Sequence, residues 1–163
     1  MNEIILKIHN EDEMIKLGTS LSYLYYPSLV ISLTGDLGAG KTTLTKGIGK
    51  ALGVTRIINS PTFTIMKIYD TNHKTIKKLY HLDVYRLKDA SEDFVLEEYF
   101  YLDGLTVIEW ADIINDLIPE NHLSINIENI DETTRKLIIS YPDYFNKYFI
   151  KEHLQGEGYE IIN

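Results

Sequence analysis

Residues 35–43 read GDLGAGKTT, and their spacing is that of G-x-x-x-x-G-K-[ST], with Gly35, Gly40, Lys41 and Thr42 at the demanded positions. An apolar run, Leu29 to Leu33 (LVISL), precedes the stretch, and an amphipathic run carrying Leu44, Ile48 and Leu52 inward follows it. The order strand, phosphate-binding loop, helix is therefore predicted. Glycine at 35, 38 and 40 opens backbone conformations closed to residues with a Cβ, so successive N–H groups can turn inward around an anion. The positive end of a helix starting near Lys41 reinforces them. Lys41 supplies a point charge for the outer phosphates, and the Thr42 hydroxyl is placed to ligate Mg2+. The bland alternative is a glycine-rich turn without chemistry. At ordinary residue usage a chance match in a chain of this length is on the order of one in two hundred, and the flanking elements lower it further.

The chain has 163 residues, of which 44% are hydrophobic. That suits one domain, residues 1–163, able to bury roughly two thirds of its unfolded surface. No cysteine occurs, which excludes a disulfide framework and thiolate metal sites and points to a reducing, cytoplasmic setting. The N-terminal MNEIILKIHNEDE lacks a basic flank and an apolar core, and no apolar run approaches the roughly 18 residues of a bilayer span, so no membrane role is expected. A formal charge of −8 argues against a broad phosphate-gripping surface. If RNA is involved, other proteins hold it and the contact is indirect.

Working outward, EIILKI at 3–8 reads as a strand, and Asn10 with Glu13 caps a helix carrying Met14, Leu17, Leu21 and Leu24, closed by Pro27. Gly53 is a fitting end for the helix after the loop. From Ser60, SPTFTIMKIY has strand composition, DTNHK turn composition, and IKKLYHLD returns as a strand: an antiparallel hairpin. Lys67, Lys74, Lys77 and Lys78 make it locally basic, a pattern better explained as a solvated edge than as an RNA contact. Ser91 opens a helical segment, SEDFVLEEYFY. Asp103-Gly104 turns into the strand LTVIEW, WADIINDLIP gives a short helix stopped by Pro119, and strands follow at 123–127 and 135–141. A last helix from about Pro142 to Gln155 is expected to bury Phe145, Tyr148 and Phe149. The fold class is α/β and P-loop NTPase-like, with a central mostly parallel sheet flanked by helices and an antiparallel hairpin insertion.

Asp83 ends LYHL and Glu109 ends LTVI. In open α/β sheets ligands lie beyond the carboxyl ends of the strands, where the loop also lies, so either acid can face Mg2+ and the γ-phosphate, and at least one must hold metal. Thr62 in SPTFT sits where a hydroxyl can sense the γ-phosphate. Trp110, the one tryptophan, follows Glu109 as a core residue or a reporter of the site. His81 reads as a packed or hydrogen-bonded histidine, not a metal ligand.

Together, GDLGAGKTT at 35–43, SPTFT at 60–64, HLDVYR at 81–86 and VIEW at 107–110 resemble the TsaE (YjeE) family, the small bacterial ATPase of the threonylcarbamoyladenosine tRNA-modification machinery. The resemblance spans most of the chain. It implies a P-loop α/β fold, ATP with Mg2+, and hydrolysis that is weak alone and stimulated by the partner proteins TsaB and TsaD. Carried over by position, Leu37, Gly38, Ala39, Gly40, Lys41, Thr42 and Thr43 wrap the phosphates, and Thr42 ligates Mg2+ with Asp83 and Glu109 at the metal and attacking water. Thr62 is the implied switch hydroxyl, which makes Lys41, Thr62, Asp83 and Glu109 the implied catalytic set. Trp110 stands beside them. Glu11 is the implied residue near the base, and Thr133 and Arg135 close over the same side.

Two rival classes remain beside the ATPase. A GTPase needs N-K-x-D, but the single Asn-Lys pair, Asn146-Lys147, continues into Tyr148-Phe149. A small-molecule kinase normally brings an arginine-rich lid, whereas Arg56, Arg86 and Arg135 are widely spaced. A nucleotide-gated binding module with incidental turnover has the same sequence features as a slow ATPase switch.

Overall fold

The computed structural model of the chain describes residues 2–61, 64–89, 103–148 and 150–163. Within them the strands are β1 (Asn2–Ile8), β2 (Val30–Gly35), β3 (Met66–Asp70), β4 (Lys78–Asp83), β5 (Leu105–Glu109), β6 (Leu123–Asn129), β7 (Arg135–Tyr141) and β8 (Glu160–Ile161). The helices are α1 (Glu11–Ser20), α2 (Lys41–Ala51) and α3 (Ile150–Gly156), with shorter 3-10 segments between them. All eight strands form one sheet in the order β3-β4-β5-β2-β6-β7-β1-β8. The centre, β4-β5-β2-β6, is parallel, and the predicted β3-β4 hairpin and the β6-β7-β1-β8 side are antiparallel.

Side-chain alternation divides the core. From β2, β4 and β5, residues Ile31, Leu33, Leu79, Leu105 and Val107 join Leu44 and Ile48 of α2 and Met14 and Leu17 of α1 in one cluster. Val30, Tyr80, Leu82 and Ile108 pack on the opposite face with Ala111 and Ile114. His81, Asp83 and Glu109 share the α2 face by the same period of two. The central strand β2 is buried from Val30 through Leu33, as a run covered on both faces should be.

The helix ends follow their signals. The Asn10 side chain accepts from the Glu13 N–H at 2.8 Å. After α2, the Val54 N–H reaches the Gly49 carbonyl at 2.9 Å and the Gly53 N–H the Lys50 carbonyl at 3.1 Å, with Gly53 at φ 77°. Helices α1 and α2 touch backbone to backbone: a Cβ on Gly47 would sit 2.1 Å from the Ile15 carbonyl oxygen, and one on Gly18 2.4 Å from the Gly47 carbonyl carbon.

Several elements differ from the sequence reading. The strand expected from Ser60 begins only at Met66, because Ile65 takes φ 66° and its N–H bonds the Pro61 carbonyl in a turn. Leu21 caps the end of α1, and Leu24 lies beyond it in a 3-10 turn at Ser22–Leu24. WADIINDLIP forms a 3-10 segment, Ala111–Leu117. The final helix splits into a 3-10 segment at Asp143–Tyr148 and α3, and the chain then adds the unpredicted β8 to β1. Phe145 is buried as expected. The helix read at 91–101 and the burial expected of Tyr148 and Phe149 lie outside the described residues. Lys67 sits on β3, the outermost strand of the sheet, and Lys78 pairs with Asp70 across the hairpin.

Candidate functional site

Strand β2 ends at Gly35 and α2 begins at Lys41, so the loop between them sits at the carboxyl edge of the parallel strands and feeds a helix N-terminus. Gly38 and Gly40 take φ of 80° and 112°, the left-handed region in which residues with a Cβ are strained. From the start of β7, Arg135 donates through Nε to the Ala39 carbonyl at 3.0 Å and through Nη2 to the Gly38 carbonyl at 3.4 Å. These bonds engage two carbonyls of the loop and fix the orientation of their peptide units.

Lys41 is only 5% exposed. Its Nζ donates to the carbonyls of Gly35 at 2.6 Å and Asp36 at 2.9 Å and lies 4.0 Å from the centre of the Trp110 ring. Burial pulls the ammonium pKa below its ordinary value, while the nearby carboxylates, Glu109 foremost, work the other way. The charge is therefore held in place by loop oxygens and an aromatic face, at a position from which it can meet an anion.

Strand register brings the two acids together. Asp83 and Glu109 are direct partners across β4 and β5, and β5 lies next to β2. Glu109, 3% exposed, accepts from the Thr42 hydroxyl at 3.0 Å on each oxygen and meets Nε2 of the fully buried His81. Asp83, 4% exposed, accepts from the Ser60 hydroxyl and from the Tyr85 N–H, both at 3.0 Å. Trp110 follows with φ 63°, its ring 4.8 Å from that of Tyr85.

These groups face one cavity of about 460 Å³ whose lining includes Lys41, Thr42, Asp83, Glu109 and Trp110 together with the loop from Leu37. A second cavity, of about 370 Å³, lies on the other side of the loop and is lined by Glu11, Thr133 and Arg135. Both are lined by Gly38, Ala39, Gly40 and Thr43, so the loop stands between them. Thr133 is set by Asp131, whose carboxylate accepts the Thr133 N–H at 3.0 Å and the Thr134 N–H at 2.8 Å; those bonds hold Asp131 below the usual carboxylate range. Of the site residues predicted from the sequence, Thr62 alone lies outside the described ones. Ser60 and Tyr85 were missed as partners of Asp83, although both stand inside quoted motifs.

The donors fit a small hard cation completed by ligand oxygens. Thr42, Asp83 and Glu109 offer oxygen only, as Mg2+ prefers, and among the described residues no group of three or more His, Cys, Asp or Glu side chains forms a self-sufficient metal cage. Such a cation would take its remaining ligands from phosphate and water.

A family model described as "Threonylcarbamoyl adenosine biosynthesis protein TsaE" matches residues 8–137. The tRNA threonylcarbamoyladenosine biosynthesis protein TsaE of Bacillus subtilis is 40% identical over 148 residues, 91% of this chain and 90% of that protein. The protein of the same name from Haemophilus influenzae is 36% identical over 132 residues, 80% of this chain and 72% of its own. The crystal structure of Bacillus subtilis YdiB superposes with a TM-score of 0.78 at 30% identity, covering 96% of this chain and 97% of that one. With a family match across most of its length and relatives at this identity and coverage, the chain belongs to the TsaE family.

Proposed function

We propose that the chain is a P-loop ATPase, one domain over residues 1–163, that binds and hydrolyses Mg-ATP in the cytoplasm. It supports threonylcarbamoyl modification of tRNA adenosine next to the anticodon, acting through TsaB and TsaD and touching tRNA only indirectly. The observation that carries the reading is the convergence of Lys41, Thr42, Asp83 and Glu109 from three separate parts of the chain on the cavity that the loop lines. Phosphoryl transfer asks mainly for positioning and charge neutralisation, and these groups are of the kinds that supply both.

Thr42, Asp83 and Glu109 are the residues that would hold Mg2+, which would supply Lewis-acid charge toward phosphate oxygens. Lys41 exchanges its carbonyl contacts for outer phosphate oxygens, and the Gly38–Thr43 amides and the α2 N-terminus receive the remaining charge. Thr42 would offer an oxygen lone pair to the cation while its hydroxyl proton is donated to Glu109. Asp83, held by Ser60 and the Tyr85 amide, presents its carboxylate from the neighbouring strand, where it can orient water. Thr62 serves as the switch hydroxyl, and Glu11, Thr133 and Arg135 border the base.

Phosphate release, measured with the chain alone and then with TsaB and TsaD, tests the reading. Release that rises on adding the partners is expected. Phosphorylation of a metabolite without them would favour a small-molecule kinase, and tight nucleotide binding with no release under any condition would favour a nucleotide-gated binding module.

A further inference from the structure

His81 lies on β4 two residues before Asp83, pairs in register with Val107 and so stands diagonal to Glu109 on the same face. It is 0% exposed, and its Nε2 meets the Glu109 carboxylate. Its other ring nitrogen, Nδ1, is buried and has no hydrogen-bond partner among the described residues. A buried polar atom left unpaired costs free energy, so a histidine retained here for packing alone would be a poor choice. The arrangement is intelligible if the ring is kept for what Nε2 does. The neutral tautomer with its proton on Nε2 donates to Glu109 and leaves only an acceptor unpaired at Nδ1, whereas the opposite tautomer would bury an unpaired donor and set a lone pair against the carboxylate.

Glu109 needs such a donor. Almost fully buried, its carboxylate has Thr42 on one side, and without a second anchor the carboxyl group could swing about its last torsion away from Thr42. We propose that His81 is a positioning residue for the metal site: its Nε2–H fixes the Glu109 carboxylate so that both oxygens stay on the Thr42 hydroxyl. The inference rests on the reading of the site as a Mg-ATP centre and adds to it a residue that touches neither nucleotide nor cation. Hydrogen-bond partners behind metal-binding groups typically carry about 10- to 100-fold in metal affinity or activity.

The test compares wild type with His81→Leu, His81→Gln and His81→Asn. Mn2+ affinity is read by electron paramagnetic resonance with a non-hydrolysable ATP analogue bound, nucleotide affinity by Trp110 fluorescence, turnover with the partner proteins, and folding by thermal melts. His81→Leu is expected to weaken Mn2+ binding and turnover by about 10-fold or more while nucleotide affinity stays within about twofold. His81→Gln, whose amide can donate from nearly the place of Nε2, should recover most of the loss, and the shorter His81→Asn should not. A packing role predicts the reverse order, with leucine tolerated and glutamine poor, and that result overturns the proposal. So does a His81→Leu protein with unchanged Mn2+ affinity. Should His81→Leu fail to fold, the glutamine and asparagine variants decide by themselves. Wild type that binds no Mn2+-nucleotide would overturn the ATPase reading itself, and this inference with it.

Discussion

The Thr42 hydroxyl lies 3.0 Å from both carboxylate oxygens of Glu109, a residue 67 positions away in the chain. One belongs to the first turn of α2 and the other to the end of β5, and they meet because β5 is the sheet neighbour of β2, whose loop leads into α2. That contact links the 35–43 loop and its helix to the acidic pair.

Glu109→Ala is expected to spare ATP binding and to lower partner-stimulated turnover by about 100-fold or more, the scale on which losing one preorganised active-site group lowers turnover. Trp110 fluorescence reports the binding and phosphate release the turnover. Unchanged turnover would remove Glu109 from the mechanism.

Lys41→Ala removes a buried ammonium that has three oxygen or aromatic partners in the loop. Hydrogen bonds to charged groups are worth about 1.5–3 kcal/mol each, so ATP affinity should fall by roughly 100-fold and turnover should vanish. Titration of the variant with ATP checks this, and wild-type affinity would contradict it.

Stripping divalent cations with EDTA should abolish turnover yet leave the melting temperature of the nucleotide-free chain unchanged. Among the described residues no metal cluster holds the fold together. A marked drop in melting temperature on chelation would reveal a structural ion.

Gly47→Val places side-chain atoms where a Cβ alone would be 2.1 Å from the Ile15 carbonyl oxygen, so α1 and α2 must separate. Overpacking of this kind costs about 1–3 kcal/mol or more. Urea unfolding measures it, and a variant as stable as wild type would show that the helices slide apart freely.

Burial pushes the Tyr159 hydroxyl from 10.0 up to about 12. Because its folded value exceeds its unfolded one, its contribution is whole below pH 10 and is lost as the pH climbs through 12. Urea midpoints should fall over that window in wild type, and less steeply in Tyr159→Phe.

The loop, its strand and its helix were legible from residues 29–53 because everything that makes them is local: glycines where φ is positive, a four-residue cap rule, apolar residues at a helical period. The positions of Asp83 and Glu109 were legible too, as acids ending apolar runs. The late start of β3 and the 3-10 form of Asp143–Tyr148 were not legible, the first because a turn that sets Ile65 at φ 66° overrides the strand composition of SPTFTIMKIY. The strand β8 is only two residues long and owes its existence to the exposed edge of β1.

By itself, then, the amino-acid order determined which groups the proposed phosphate site draws on and where in the chain they stand. Which acid meets which distant partner was decided by the tertiary structure: Glu109 with Thr42 and His81, Asp83 with Ser60. Hydrogen bonds between β4, β5 and β2 join residues tens of positions apart, and no local pattern encodes such a pairing, because its free energy appears only once the whole sheet has closed around its core.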